Sequence, residues 1–129
     1  MTGIRLVRMF ETTIIRICEF ARGIQSEKNR TEQELYFETG YSECHEEITQ
    51  QQIEALISHD SSLIDDWLSF SEDSHRTPAW GLGKQGSRWT VFRMLDGGVC
   101  GYSISFGSPV AACALMIRMA MEELRLATA

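Results

Sequence analysis

Residues 78–106, PAWGLGKQGSRWTVFRMLDGGVCGYSISF, decide the fold class of this chain. Lys84–Ser87 is typical of a turn, Trp89–Leu95 is rich in β-formers, and Asp96-Gly97-Gly98 is a strong hairpin signal. The run Tyr102–Phe106 then alternates large apolar residues with serines, as a strand with one buried face does. The stretch therefore predicts a three-stranded antiparallel meander whose serine face is wet.

A helix is predicted directly after this meander. Ser108-Pro109 is a typical helix start, because serine caps the first turn and proline suits its first position. Apolar residues then recur with helical spacing, and we expect them to cover the sheet. They are Val110, Cys113, Ala114, Ile117, Met121 and Leu124.

The N-terminal stretch Ile4–Ile24 also has a helical pattern, with apolar residues at steps of three and four. The β-branched run Thr12–Ile15 favours a strand locally, but the longer periodicity outweighs it. We therefore predict one long helix. Its stripe would also support a coiled-coil homodimer, although its breadth favours packing on a core.

The middle of the chain is less regular. We predict a short strand at Glu34–Glu38, then a helix capped by Thr49 and ending near His59. A second helix, capped by Asp60 or Ser61, would bury its apolar residues. These are Leu63, Ile64, Trp67, Leu68 and Phe70. The whole chain, residues 1–129, is thus predicted to be a single α+β domain: N-terminal helices, a meander and a covering C-terminal helix.

Composition excludes several functions. With 129 residues and a pI near 5.0 the chain suits one core, and its charge disfavours binding to nucleic acid or an anionic membrane. Charged residues interrupt the N-terminal stretch, so we expect no signal peptide or membrane span and a cytoplasmic location. The four cysteines lack a CxxC pair, which favours free thiols in the core.

The negative charge is concentrated in the segment from Thr31 to Ser74. It holds twelve acidic residues and no Lys or Arg. They are Glu32, Glu34, Glu38, Glu43, Glu46, Glu47, Glu54, Asp60, Asp65, Asp66, Glu72 and Asp73. Such a segment is either a solvated face or a docking surface for a basic protein partner.

The sequence patterns that suggest chemistry have simpler interpretations. Gly81–Gly86 matches GxGxxG, but a strand follows it where a dinucleotide site needs a helix, so a glycine-containing hairpin is favoured. Cys44-His45-Glu46-Glu47 reads as a polar loop, since a Cys/His dyad is assembled from distant positions. As a zinc site, Cys44 and His45 together with His59 and His75 lack the paired ligand spacings that such sites have. We predict no catalytic residue, metal or cofactor.

The loop Glu72–Arg76 joins a helix to the first strand, a position where binding residues are common. Trp67, Trp80 and Trp89 lie on apolar faces, which favours the core, and exposure of Trp80 would favour a binding role.

An ordered pattern in the second half of the chain resembles a known class of proteins. It consists of Trp67-Leu68-Ser69-Phe70-Ser71-Glu72-Asp73, then Arg76-Thr77-Pro78-Ala79-Trp80, a hairpin, and Ala111-Ala112-Cys113-Ala114 in the last helix. This order resembles small bacterial immunity proteins of polymorphic or contact-dependent growth inhibition toxins. The resemblance implies a cytoplasmic, non-enzymatic inhibitor that binds its cognate toxin domain and blocks the active site.

The sequence thus predicts an inhibitor with an acidic surface, whose partner is plausibly a nuclease with a basic groove. The predicted partner-binding residues are Asp65, Asp66, Glu72, Asp73, His75, Arg76 and Trp80. Two alternatives stay open: a phage-type acidic mimic that inhibits another nucleic-acid enzyme, and a small enzyme using Cys44 or His75.

Overall fold

A computed structural model describes residues 2–27, 29–73, 79–95 and 100–128, with side chains from Phe10 onward and without that of Asp73. The helices are α1 (Thr2–Cys18), α2 (Phe20–Ser26), α3 (Glu32–Thr39), α4 (Tyr41–Cys44), α5 (Gln50–His59), α6 (Ser62–Asp73) and α7 (Pro109–Ala127). The strands are β1 (Ala79–Gln85), β2 (Arg88–Met94) and β3 (Cys100–Phe106). The predicted α+β class is confirmed.

The C-terminal helix α7 is the centre of the molecule. It packs against all three strands on one side and against α5, α6 and the N-terminal helices elsewhere. Its residues Ala112, Cys113, Ile117 and Met121 are completely buried. The prediction that this helix covers the sheet is confirmed, and α7 also serves as the core of the helical layer. Within the described ranges no helix is both long and apolar enough to cross a membrane.

The sheet has the order β1-β2-β3 with antiparallel pairing, as predicted. Leu82, Val91 and Ile104 are aligned across it and lie on the face that α7 covers. Ser103 and Ser105 are exposed, as expected. Tyr102 differs from the expected pattern, because it lies on the α7 face and is 52% exposed. The reason is that α7 packs mainly over β1 and β2. The hairpin predicted at residues 96–98 lies outside the described residues.

The predicted N-terminal helix is divided in two at Glu19. Helical backbone bonds run through the break, from Glu19 N to Ile15 O and from Gly23 N to Glu19 O, both 3.0 Å. At the break the Trp67 indole Nε1 donates a hydrogen bond of 2.8 Å to the Cys18 carbonyl oxygen. A side chain that enters the helical ladder in this way is a common cause of a helix bend.

The predicted strand at residues 34–38 is wrong, because this segment is helix α3. The Thr31 hydroxyl accepts a hydrogen bond from Glu34 N at 3.1 Å and caps the start. Gly40, with φ of 77°, ends the helix in the left-handed conformation. The apolar residues of α3 are consecutive, from Leu35 to Phe37, so the segment lacks the spacing that would predict a helix.

The other predicted helix starts agree with the structure. Thr49 and Gln52 form a reciprocal capping box at α5. Asp60 Oδ1 accepts from Ser62 N, 3.2 Å, at the start of α6. The Ser108 hydroxyl accepts from Ala111 N, 3.2 Å, at α7.

All four cysteines are free thiols, as predicted. Cys18, Cys44 and Cys113 are buried, but Cys100 is exposed at the start of β3 and is not a core residue. Burial raises the pKa of Cys18 to about 12, so this thiol stays protonated at neutral pH.

Candidate protein-docking site

Helix α6 presents a polar stripe to solvent. Asp65, Ser69 and Glu72 are exposed, and their spacing of four and three residues places them on one face of the helix. Asp65 and Glu72 are therefore about 10 Å apart along the axis. We call these three residues the docking face.

The opposite side of α6 is anchored in the core. Trp67 is completely buried and stacks on Phe20 at a ring separation of 6.1 Å. Its edge contact with Phe70 is 5.4 Å, and its indole hydrogen bond to Cys18 ties α6 to the end of α1. The predicted core role of Trp67 is confirmed. The docking face consequently lies on a helix held in place by aromatic packing.

A second attachment holds α6 to the sheet. The Leu82 backbone N–H donates a hydrogen bond of 2.7 Å to the Ser71 hydroxyl oxygen. Ser71 lies one residue before Glu72, so this bond positions the end of the docking face relative to β1. It also supplies a partner for an N–H group on an edge strand, which has no strand beyond it in the described sheet.

The predicted pair Asp65-Asp66 is split between two environments. Arg22 Nε donates to Asp66 Oδ2 at 2.8 Å, and Arg22 Nη2 donates to the Ser62 hydroxyl at 3.0 Å. Asp66 thus faces α2, whereas Asp65 is exposed. Neighbouring residues on a helix point about 100° apart, so the expectation that both carboxylates face outward is met by Asp65 alone.

Arg22 also reaches Asp60, at 3.8 Å from Nη2 to Oδ2. The pKa of Asp60 lies below its usual value, mainly because the Ser62 hydroxyl donates to it and also because Arg22 is near. Among the described residues neither Asp65 nor Glu72 forms an ion pair. Of the α6 carboxylates that the structure describes, those of the docking face therefore remain open to a basic partner.

Trp80 is half-buried on β1, two residues before the strand bonds to α6. Its ring meets Tyr102 edge-to-face at 6.0 Å, and the Arg93 guanidinium lies 5.7 Å from the ring centre. Arg93 is in turn paired with Glu123 at 2.7 Å. Trp80 packs against the core, as predicted, and also keeps part of its surface exposed.

Three of the predicted partner-binding side chains, those of Asp73, His75 and Arg76, lie outside the described residues. The structure brings Asp65 and Glu72 onto one face, turns Asp66 toward Arg22, and places Trp80 on the adjoining strand.

The glycines of the GxGxxG match have a steric explanation. Gly81 and Gly83 lie within β1, and the Phe92 ring covers Gly81 so closely that a Cβ atom there would be 2.4 Å from it. Gly86 has φ of 59° and forms the turn to β2. This close approach and this turn require glycine, and the predicted hairpin is confirmed.

The first part of the acidic segment, on α3, also lies against α2. Arg30 forms a two-pronged ion pair with Glu38 and lies 3.7 Å from Glu34. The pKa of Glu38 is lowered, mainly by its hydrogen bond from Arg30. A groove of about 640 Å³ separates α2 from α3 and is lined by Arg16, Glu19 and Arg22 among others. Two acidic regions, flanking α2, thus replace the single segment of the sequence.

A polar cluster attaches this first region to α7. The Tyr41 hydroxyl donates to Glu122 Oε2 at 2.7 Å, and Arg125 donates to both oxygens of Glu122 at 2.9 Å. The pKa of Glu122 falls to about 2, chiefly because of the Arg125 hydrogen bond and further because of Tyr41. Sequence reasoning missed this cluster, and the i, i+3 spacing of Glu122 and Arg125 was the available signal.

Metal-ligating residue types and Cys44 were the candidates for chemistry in the sequence. The described residues contain no group of three side chains that could hold a metal ion. The Cys44 thiol is buried, donates to the Gly40 carbonyl at 3.5 Å, and has a pKa raised by burial. A reactive cysteine needs the opposite shift, toward the thiolate.

Comparison of the chain with protein-family models, with curated proteins and with solved structures finds no match.

Proposed function

We propose that this protein is an inhibitor that binds a basic surface of a toxin domain through the docking face and occludes its active site. The observation that carries the proposal is the pair Asp65 and Glu72, two exposed carboxylates without an ion pair among the described residues. They lie on one face of a helix whose other face is anchored by Trp67.

Electrostatics supports a basic partner. Nearby carboxylates without counter-charges repel one another, and a complementary cationic surface relieves that repulsion. Steering by such charges accelerates encounter by roughly 10- to 10³-fold at low salt. A groove that binds nucleic acid is lined with Lys and Arg, so a nuclease-like toxin provides the matching surface.

Trp80 supplies the apolar part of the proposed interface. It is half-buried, so its ring is held by Tyr102 and Arg93 while part of it stays accessible. Trp is among the residues that contribute most to protein interfaces. We therefore assign specificity to Trp80 and rapid association to the docking face.

Capture from the native host tests this function. The protein is immobilised, exposed to lysate at low salt, and eluted at high salt, and the eluted proteins are identified by mass spectrometry. We expect a toxin domain with a basic active-site groove, whose activity is abolished by one equivalent of the protein.

The matched variants remove two charges each. Asp65→Asn/Glu72→Gln should lose the captured partner, whereas Glu46→Gln/Glu47→Gln, on an exposed turn away from α6, should retain it. Retention by both variants would contradict the proposal. If the captured protein is another nucleic-acid enzyme, the acidic-mimic alternative replaces the toxin.

A further inference from the structure

Within the described residues, one edge strand of the sheet is covered by a helix and the other is not. At the β1 edge, α6 packs alongside the strand and Ser71 accepts a hydrogen bond from Leu82 N. At β3 no described segment pairs with the outer side of the strand. We call this outer side of Cys100–Phe106 the open edge.

The open edge lacks most of the features that usually prevent edge-to-edge pairing, and the one irregularity in its pairing with β2 lies at Gly101, outside the regular stretch Tyr102–Phe106. Strand β3 is seven residues long and contains neither a charged residue nor proline. Such an edge exposes a row of N–H and C=O groups that another strand can use.

Helix α7 also buries the residues of β3 less completely than those of β1 and β2. Leu82 on β1 is 2% exposed and Val91 on β2 is 0% exposed, whereas Tyr102 on the same face of β3 is 52% exposed. Ile104 and Phe106 are only half-buried. An additional strand beyond β3 would continue the sheet and shield the side of these residues that α7 leaves open.

We propose that a second copy of this chain pairs antiparallel along the open edge, forming a continuous six-stranded sheet. A twofold axis at Ser103 places Tyr102 opposite Ile104 of the second copy, and Ser103 opposite its own counterpart. Apolar residues then meet apolar residues on the α7 face, and the two Ser103 hydroxyls meet on the other. Thr90 and Ser105 already form such a hydroxyl pair within the sheet, 3.3 Å apart.

Charge favours a second copy over the basic partner at this edge. The chain carries a net charge of −6, which opposes self-association over most of its surface, but β3 contributes none of it. A cationic partner would find no carboxylate on this strand to pair with. Because the open edge is two strands from β1, roughly 10 Å, and the docking face lies beyond β1, one dimer can bind two partners.

Sedimentation equilibrium of the full chain tests the dimer. We expect a concentration-dependent mass that reaches twice the 14.6 kDa of one chain. Ser103→Lys places two cations opposite each other at the twofold axis and should raise the dimer Kd by about tenfold or more. Ser87→Lys, in the exposed β1–β2 turn, adds the same charge and should leave the Kd unchanged.

Cross-linking tests the register. In a Cys100→Ser background, Ser103→Cys should oxidise to a disulfide-linked dimer, since paired Cα atoms at the axis are about 4.5–5.5 Å apart. Ser105→Cys should not, because it faces Gly101 of the second copy. A monomer at every concentration would overturn the proposal, as would a dimer that tolerates Ser103→Lys or links through residue 105.

Discussion

The two acidic regions that flank α2 are held to the protein by different chemistry. Region one, α3 with α4, is attached through an ionisable cluster in which Tyr41 and Arg125 both bond to Glu122. Region two, α6, is attached through two neutral groups, the Trp67 indole and the Ser71 hydroxyl, and through the ion pair of Arg22 with Asp66. The charge count of the sequence is similar in both, so the anchoring and the charge pairing separate them.

Their arginines differ as well. In region one Arg30 forms ion pairs with Glu34 and Glu38. In region two Arg22 forms an ion pair with Asp66, and Asp65 stays exposed. Two open carboxylates on one face of an anchored helix suit electrostatic docking, whereas Glu34 and Glu38 of region one are already paired with Arg30. The comparison assigns docking to region two, whose Trp67 and Ser71 attachments are neutral hydrogen bonds.

The largest expected effect is on the stability of the protein, when the Trp67 anchor of α6 is changed. Trp67→Phe removes a buried hydrogen bond to the Cys18 carbonyl and part of a filled core, and should lower the free energy of unfolding by about 2–4 kcal/mol. Tyr36→Phe in α3 is the matched change. The Tyr36 hydroxyl is buried without a hydrogen-bond partner among the described residues, so its removal should cost less than about 1 kcal/mol. Urea denaturation measures both, and a loss for Trp67→Phe no larger than that for Tyr36→Phe would contradict the anchoring role of Trp67.

The next effect is the pH dependence of region one. The pKa of Glu122 is about 2 in the folded chain, below its ordinary value, so its stabilisation is complete above about pH 5 and is lost as the pH falls toward 2. Because the carboxylate is partly exposed, we expect this contribution to be roughly 1–2 kcal/mol.

Glu122→Gln should therefore lower stability at pH 7 and converge with the wild type near pH 2. Denaturation curves at several pH values measure this, with Glu47→Gln as the control for losing one exposed carboxylate. A constant difference between Glu122→Gln and the wild type at all pH values would contradict the ionisable anchor.

Elements with a clear hydrophobic period were predictable from the sequence. The alternation in β3, and the helical spacing after the cap Ser108, indicated the meander and α7 correctly. Helix α3 was mistaken for a strand because its apolar residues are consecutive, although Thr31 and Gly40 cap its two ends. At the break in the N-terminal helix the Cys18 carbonyl is bonded by Trp67, which is distant in sequence, so local patterns could not reveal this contact.

The candidate site was predictable only as a set of residue types. The sequence identified Asp65, Asp66, Glu72 and Trp80, but it contained no sign that Arg22, forty-four residues earlier, pairs with Asp66. Charge pairing between distant segments is a property of the packing, and counting charges along the chain cannot separate open carboxylates from paired ones.

The most direct test of the docking role is the association rate of the captured partner, measured by stopped flow across a range of salt concentrations. For Asp65→Asn/Glu72→Gln we predict a rate about tenfold lower at low salt and a flatter salt dependence, with Glu46→Gln/Glu47→Gln close to the wild type. An unchanged rate and slope for Asp65→Asn/Glu72→Gln would contradict the assignment of docking to α6.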